Sequence, residues 1–157
     1  MHANKNLLKK FYTCLQHRDH EGISKCYCPD ATFSDPVFTH LQGREVLAMW
    51  HMLLERGKDL AVKFADLDAS YTIGRGRWEA TYTYSGRQVH NLIHSKFTFR
   101  DGLILTHEDS FSLWRWSWMA LGIPGLVLGW SPPLQKKVRD TAHEALSKFI
   151  ETHPQYQ

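Results

Sequence analysis

Residues 89–116, VHNLIHSKFTFRDGLILTHEDSFSLWRW, decide the fold of this chain. Within them, Arg100-Asp101-Gly102 is a tight-turn signal between two runs rich in β-branched and aromatic residues. This pattern is typical of a β-hairpin. We therefore predict two long antiparallel strands joined at this turn, with the rest of the chain arranged around them.

One face of the predicted hairpin combines apolar and polar residues, because side chains two positions apart point to the same side of a strand. The face carries Val89, Asn91, Ile93, Ser95, Phe97 and Phe99 on the first strand and Leu103, Leu105, His107, Asp109, Phe111 and Leu113 on the second. A buried carboxylate beside a buried imidazole is costly unless the two are paired or the site is used. His107 and Asp109 are therefore candidates for the floor of a pocket. The alternative is that they lie near a rim and pair in solvent.

Length and charge bound the class of protein. The 157 residues suit one domain, residues 1–157, in which residues 114–157 form a helical C-terminal extension. The net charge of +3 is spread out, since Lys9-Lys10 and Lys136-Lys137 are the only adjacent basic pairs. A nucleic-acid partner is therefore not expected.

Cysteine and histidine usage points to a reducing compartment and to no bound metal. Cys14, Cys26 and Cys28 are odd in number and form no CxxC pair, so we expect free thiols. The N-terminus lacks the apolar run of a secretion signal, which favours a cytoplasmic location. The histidines show no ligand spacing, so neither a metal ion nor a cofactor is expected.

Three helices and a short strand are predicted ahead of the sheet. They are a helix at 5–17 capped by Asn4 or Asn6, a short helix capped by Asp19 and ended by Pro29-Asp30, a strand at 31–35, and a helix from Arg44 closed by Gly57. This order places helices on one side of the later strands.

The sheet itself is predicted as a four-strand meander plus the short early strand. The apolar positions change parity around Ala65-Asp66, which predicts a β-bulge and a curved sheet. Turns are predicted at Gly74-Arg75-Gly76 and at Ser85-Gly86, on either side of a strand that contains Trp78. The fold class is therefore α+β.

The segment after the hairpin, residues 114–130, is nearly continuous apolar sequence with one charge, Arg115. Its glycines and proline oppose a transmembrane span. We predict a short helix at 114–121, an apolar loop, and a helix that starts at Ser131-Pro132 and runs up to Pro154. The loop could cover a cavity, join a dimer or touch a membrane surface.

The motifs Asp30-Ala31-Thr32, Asp35-Pro36 and Gly43-Arg44-Glu45, in this order, resemble those of the SnoaL-like and ketosteroid isomerase branch of the nuclear transport factor 2-like superfamily. The resemblance covers about residues 5–113. It implies a cone-shaped curved antiparallel sheet with the N-terminal helices packed on its concave side. It also implies a hydrophobic pocket inside the cone and a homodimer formed through the sheet.

The resemblance also implies roles for individual residues. Asp35 stands where ketosteroid isomerases carry their base, Tyr12 lies one position from their tyrosine donor, and Ser95 falls near their protonated aspartate. SnoaL-type cyclases place an acid–base aspartate on a late strand, as Asp109 is placed here. From the residues alone, Asp35 before proline equally suits an Asx turn.

These observations lead to a cofactor-independent enzyme of the isomerase, cyclase or hydratase type, acting on an apolar, carbonyl-bearing substrate. The candidate catalytic residues are Asp109, His107 and Asp35. The candidate substrate-binding residues are Tyr12, Trp50, Trp78, Asn91 and Phe111. Trp50 and Trp78 lie on apolar stripes, where core packing is more common than ligand contact. The alternative is a non-catalytic module of the same fold that binds an apolar ligand or another protein. A small apolar or polycyclic ligand is the expected partner, and membrane contact is not expected.

Overall fold

The computed structural model describes residues 2–157 and consists of one six-stranded sheet with helices around it. The strands are β1 (Tyr27–Ser34), β2 (Leu41–Gln42), β3 (Ala61–Ala69), β4 (Ile73–Tyr84), β5 (Arg87–Arg100) and β6 (Leu103–Ser110). The helices are α1 (Ala3–Gln16), α2 (His20–Ser24), α3 (Arg44–Arg56), α4 (Leu113–Leu121), α5 (Ile123–Leu128) and α6 (Pro132–Glu151), followed by a 3₁₀ helix (Pro154–Tyr156).

The strand order is β2-β1-β6-β5-β4-β3. Strands β3 to β6 form an antiparallel meander, as predicted, and the α+β class is confirmed. The early strand β1 joins this meander in parallel to β6, which the sequence analysis did not predict. This parallel pair brings the end of β1 beside the end of β6.

The predicted hairpin is confirmed as β5 and β6. Its turn residues Asp101 and Gly102 have φ angles of 52° and 75°, the conformation of the tight hairpin turns that match strand twist. The turn at Ser85-Gly86 is built the same way, with φ angles of 47° and 80°. Both turns fall where the sequence predicted them.

The inward face of β5 is confirmed, since the six residues predicted there are all buried. On β6 the prediction for Leu103 and Leu105 was wrong, because Ile104 is the fully buried residue and both leucines are only partly buried. The register shifts after Thr98, which pairs with Thr106, so that Phe99 pairs with Ile104. Strand β6 therefore has one extra residue at this point. As a result, the residues between it and the hairpin turn point to the opposite face from the one predicted.

The predicted bulge is present in β3, where the register shifts between Ala65 and Asp68. The turn predicted at Gly74-Arg75-Gly76 was wrong, since the chain turns at residues 70–72 and both glycines lie in β4. A β-carbon on Gly76 would lie 2.8 Å from Leu67 and 3.4 Å from Tyr12. This glycine therefore permits close packing rather than a turn.

Two helix boundaries also differ from the prediction. Helix α1 is capped by His2, whose side chain accepts from the Asn4 amide, so neither Asn4 nor Asn6 is the cap. Asp19 caps α2 as predicted, but α2 ends at Ser24 and Pro29-Asp30 lies within β1. The chain leaves the helix early because the carbonyl of Cys26 already accepts from the Ile104 amide of the sheet.

Helices α1 and α3 pack their apolar stripes on the inward face of the sheet. Phe11 of α1 is fully buried, and its ring lies 5.6 Å from Trp50 of α3 and 5.5 Å from His107 of β6. Aromatic rings from the helices therefore fill the concave side of the sheet and surround the polar residues of β6.

The C-terminal extension is more helical than predicted. The helices at 114–121 and after Ser131 are confirmed as α4 and α6, but the predicted apolar loop is helix α5. A β-carbon on Gly125 would lie 1.9 Å from the carbonyl oxygen of Ser117, so glycine is what lets α5 lie against α4. No helix within residues 2–157 is long and apolar enough to cross a membrane.

Candidate functional site

Six buried side chains form a continuous hydrogen-bonded chain inside the cone, called here the buried network. On one side of Asp109, Trp50 Nε1 donates to Tyr27 Oη at 3.0 Å, and Tyr27 Oη lies 2.7 Å from His107 Nδ1. His107 Nε2 in turn lies 2.7 Å from Asp109 Oδ1. On the other side, Tyr12 Oη donates to Ser95 Oγ at 2.8 Å, and Ser95 Oγ donates to Asp109 Oδ1 at 2.5 Å. Asp109 lies at the centre of this network, because both His107 and Ser95 contact its Oδ1 atom.

Five different elements position this network. Ser95 on β5 pairs directly with Asp109 on β6, which sets their side chains opposite each other on the inward face. His107 lies two residues earlier on the same face of β6. The remaining members are Tyr12 from α1, Tyr27 from β1 and Trp50 from α3. The site therefore exists only when the sheet and both helices have assembled.

The arrangement of donors determines where the protons lie. Tyr27 Oη already accepts from Trp50, so its own proton is available to His107 Nδ1. His107 then carries its proton on Nε2 and donates it to Asp109. With neutral His107 and ionised Asp109, every bond in the chain has one donor and one acceptor. All donors are thus directed toward the Asp109 carboxylate.

The surroundings of the Asp109–His107 pair are apolar. Asp109 is 7% exposed and His107 is 1% exposed, so a location at a solvent rim is excluded. The His107 ring lies 4.4 Å from Phe97, 4.9 Å from Phe33 and 5.5 Å from Phe11, measured between ring centroids. In such a setting a hydrogen bond is stronger than in water, and a buried polar or charged group without one is costly.

Three polar groups on the inward face have no hydrogen-bond partner within residues 2–157. They are Oδ2 of Asp109, Nε1 of Trp78 and the side-chain amide of Asn91. Trp78 pairs with Ile93, so Asn91 and Ser95 lie diagonally on either side of it. These groups lie on the same face of neighbouring strands.

Asp35 follows β1 directly and lies beside the network. Because Ser34 pairs in parallel with Glu108, Asp35, just past the end of β1, lies beside Asp109 on β6. Asp35 Oδ1 accepts from the amides of Val37 at 2.7 Å and Phe38 at 2.6 Å, so the Asx turn considered in the sequence analysis is present. Burial raises the pKa of Asp35 to about 7, and the negative charge of Asp109 adds to the rise, although the two amides oppose it.

The candidate substrate-binding residues have different surroundings. Trp50 and Tyr12 are buried members of the network, and burial raises the pKa of Tyr12 well above its ordinary value, which keeps its phenol protonated. Trp78 and Asn91 keep unpaired polar atoms on the inward face, as described above. Phe111 is half-buried between two apolar clusters, outside the network.

Two network members, Tyr27 and Ser95, were not among the candidate site residues. The sequence pattern could have identified Ser95, because it lies on the same inward face of β5 as Asn91. No sequence pattern indicated Tyr27, because this residue was predicted to lie in the short second helix and not in a strand. Its role depends on the parallel β1–β6 pair, in which Tyr27 is registered with Ile104.

The outer face of the sheet is exposed along His90, Leu92, His94 and Lys96 of β5. A cavity of about 520 Å³ opens at this side of the sheet. It is lined by Asp68, Ala69, Ser70, Ile73, Gly74, Arg75, Lys96, Phe97, Thr98, Thr106 and Glu108. None of the candidate site residues lines this cavity.

Several solved structures share this fold at low sequence identity. An LEH-like epoxide hydrolase of M. tuberculosis is 18% identical with a TM-score of 0.65 and aligns over 80% of this chain and 96% of its own. A protein from Jannaschia sp. CCS1 proposed to be a SnoaL-like polyketide cyclase is 13% identical (TM-score 0.68; 78% and 93%). A protein from Kribbella flavida proposed to be a ketosteroid isomerase is 16% identical (TM-score 0.57; 69% and 77%).

At these identities the likeness shows the fold alone. No curated protein sequence matches the chain. The family model for the SnoaL-like domain, by contrast, matches residues 8–107, which is more than half of the 157 residues. This match and the shared fold confirm the resemblance found in the sequence, and the chain belongs to the SnoaL-like domain family of the nuclear transport factor 2-like fold.

Proposed function

We propose that this chain is a cofactor-independent acid–base enzyme of the isomerase, cyclase or hydratase type, acting on an apolar substrate that bears a carbonyl group. One observation carries the proposal. Asp109 is a buried carboxylate held on Oδ1 by His107 and Ser95, while its Oδ2 has no hydrogen-bond partner within residues 2–157. A carboxylate positioned in this way is suited to removing a proton.

In the proposed reaction, Asp109 Oδ2 takes a proton from the carbon next to the substrate carbonyl. The electron pair of the broken C–H bond forms the C=C bond of an enolate, and the negative charge passes to the carbonyl oxygen. Trp78 Nε1 or the Asn91 amide donates a hydrogen bond to that oxygen. Return of the proton to another carbon completes an isomerisation, and attack of the enolate on a second carbonyl gives a cyclisation.

The buried network serves this step by holding Asp109 in place. When Oδ2 takes up a proton, Oδ1 can still accept from Ser95 and from His107, so no partner is lost. Tyr27 and Tyr12, one step further out, fix the orientation of His107 and Ser95. Such preorganisation avoids rearrangement during the reaction.

Asp35 supplies a second carboxyl group beside Asp109. Because burial raises its pKa to about 7, Asp35 holds a proton on a large fraction of molecules near neutral pH. Neighbouring carboxyl groups that favour different protonation states are suited to act as acid and base. In a cyclisation, attack of the enolate carbon turns the second carbonyl into an alkoxide, and we assign Asp35 the delivery of a proton to that alkoxide oxygen.

The test of this proposal is proton exchange between solvent and a panel of enolisable polycyclic ketones in D₂O, followed by NMR. We expect the wild-type chain to accelerate deuterium uptake, Asp109→Asn to lose this acceleration, and Asp68→Asn to keep it. Asp68 is a matched control because its side chain lies exposed on β3, away from the network. Equal exchange by wild type and Asp109→Asn would remove Asp109 from the chemistry.

A non-catalytic interaction module is the second candidate, and a specific surface favours it. Helices α4 and α5 and the residues that follow α5 expose apolar side chains to solvent, including Ile123 at 75% and Trp130 at 60%. The other exposed members are Trp114, Trp118, Leu126, Val127 and Leu128. Surfaces of this kind commonly mark protein contacts. If the chain is such a module, Trp118→Ser should abolish partner binding while deuterium exchange stays at background in the wild type.

The outer face of β5 is the surface we propose for a homodimer. Leu92 is partly exposed there between His90 and His94. Sedimentation of the wild type at twice the monomer mass, with Leu92→Glu sedimenting as monomer, is the expected result. A monomeric wild type would refute the dimer without affecting the acid–base proposal.

A further inference from the structure

A second cluster of potential ligands lies away from the buried network, between α3 and the C-terminal end of α6. His51 and Glu55 lie one turn apart on α3, and His153 follows α6. One nitrogen or oxygen atom from each of the three lies within 4.8 Å of the others. His51 Nε2 and Glu55 Oε2 are already 3.4 Å apart.

Each of the two imidazole rings is hydrogen-bonded through Nδ1. The lone pair of Nε2 is therefore free to bind a metal ion. His153 Nδ1 lies 2.7 Å from the carbonyl oxygen of Phe149, and because a carbonyl only accepts, Nδ1 carries the proton and Nε2 the lone pair. His51 Nδ1 lies 2.8 Å from Tyr156 Oη, which can accept its proton in the same way. Bonds of this kind fix the tautomer and the ring orientation of histidines that bind metals.

Packing also holds these rings in position. The His153 ring stacks on Phe149 with centroids 3.8 Å apart, and the His51 ring stacks on His20 at 3.7 Å with an interplanar angle of 7°. Rings that stack on one face and hydrogen-bond through one nitrogen lose little freedom when they bind a ligand. Glu55 is the mobile member, since its side chain is more than half exposed.

We propose that His51, Glu55 and His153 bind a divalent transition-metal ion, with Zn²⁺ as the best-suited class. Two imidazoles and one carboxylate are a common donor set for zinc, with the fourth position left to water. Tetrahedral bonds of about 2.0–2.1 Å place donors roughly 3.3 Å apart, so the cluster must contract slightly. Movement of the exposed Glu55 side chain and of His153, beyond the end of α6, supplies this contraction.

The site links two segments that are far apart in the sequence. A bound ion would tie the end of α6, at His153, to α3, at His51 and Glu55, and so stabilise the C-terminal extension against the cone. The inference does not depend on the acid–base proposal, because none of the three side chains belongs to the buried network.

The test is titration of the full, reduced, metal-free chain with Zn²⁺ by calorimetry and with Co²⁺ by absorption spectroscopy. We expect one ion per chain, the visible bands of four-coordinate Co²⁺, and a higher thermal midpoint. His153→Gln and Glu55→Gln should each weaken binding at least tenfold. Glu55→Gln keeps the test decisive if His153→Gln fails to fold, because Glu55 is exposed and its loss leaves no buried gap.

His94→Gln is the matched control, since His94 lies exposed on the outer face of β5, far from the cluster in the fold. Its Zn²⁺ affinity should equal that of the wild type. If the wild type binds no Zn²⁺, or if binding is the same in wild type, Glu55→Gln and His153→Gln, the proposed site is refuted. The latter result would assign the ion to the thiols or to scattered surface histidines.

Discussion

Nε2 of His107 lies 2.7 Å from Oδ1 of Asp109, and neither side chain is more than 7% exposed. The pair therefore sits in the apolar interior of the cone, where each group satisfies the other. Removal of either partner leaves the other, a buried polar or charged group, without this hydrogen bond. Such a change is among the most costly in free energy of unfolding that a protein core can undergo. The first two predictions follow from this relationship.

His107→Ala should be strongly destabilising. It leaves the Asp109 carboxylate without its imidazole, removes the acceptor of Tyr27 Oη and opens a cavity. We expect a loss of about 3–5 kcal/mol in the free energy of unfolding, measured by urea denaturation. His94→Ala on the exposed face of the adjacent strand should change it by less than about 0.5 kcal/mol. A cost for His107→Ala near that of His94→Ala would contradict the pairing.

Tyr27→Phe should weaken the fold without removing a charge. The substitution leaves Trp50 Nε1 without an acceptor and His107 Nδ1 without a donor, both in the buried network. The expected loss is about 1–3 kcal/mol in urea denaturation. Tyr71→Phe is the control, since Tyr71 is 83% exposed and should be neutral. Two equally neutral variants would show that the Tyr27 hydroxyl does not support the network.

Asp35 should make stability depend on pH between about 4 and 7. Its pKa is raised from 3.8 to about 7 in the folded chain, so across this window the folded chain binds more protons than the unfolded chain. The free energy of unfolding must then fall as pH rises through the window and level off above it, by on the order of 4 kcal/mol.

Asp35→Asn tests this assignment, because asparagine keeps the acceptor for the Val37 and Phe38 amides but does not ionise. Urea midpoints measured from pH 4.5 to pH 8 should decline less in this variant than in the wild type. Other titrating groups contribute to both proteins and cancel in the comparison. Parallel pH profiles would show that Asp35 keeps its ordinary pKa.

Gly125→Ala should detach α5 from α4. The new β-carbon would meet the Ser117 carbonyl at 1.9 Å, and a backbone oxygen within a helix cannot move aside. We expect faster proteolysis between residues 122 and 131 than in Val127→Ala, which alters an exposed side chain of the same helix. Equal cleavage rates would mean that the close approach of the two helices is not required.

The sequence predicted the parts of the fold that repeat with a regular period. The alternation of β5, the turn at Asp101-Gly102 and the helix from Arg44 to Gly57 are local patterns, and the structure confirms them. The prediction placed Leu103 and Leu105 on the wrong face of β6. One extra residue in this strand changes which side chains face inward, and nothing in the composition of the strand indicates it. The glycines of β4 were taken for a turn because their packing against Tyr12 and Phe99 is a tertiary contact.

The candidate site was predicted only where both partners lie on one strand. His107 and Asp109 share a face of β6, so their meeting follows from period-two geometry. Tyr27 reaches His107 only through the parallel β1–β6 pair, which no local pattern specifies. The cluster of His51, Glu55 and His153 was not predicted, because its third member comes from a distant segment of the chain.

The most direct test of the acid–base site is the binding of a graded series of naphthols, planar mimics of an enolate, to wild type and Asp109→Asn, followed by tryptophan fluorescence. Trp50 and Trp78 lie buried in the interior and report on occupancy. We expect wild-type affinity to vary with the acidity of the naphthol and this dependence to change in Asp109→Asn. Absence of binding, or binding indifferent to both acidity and substitution, would contradict it.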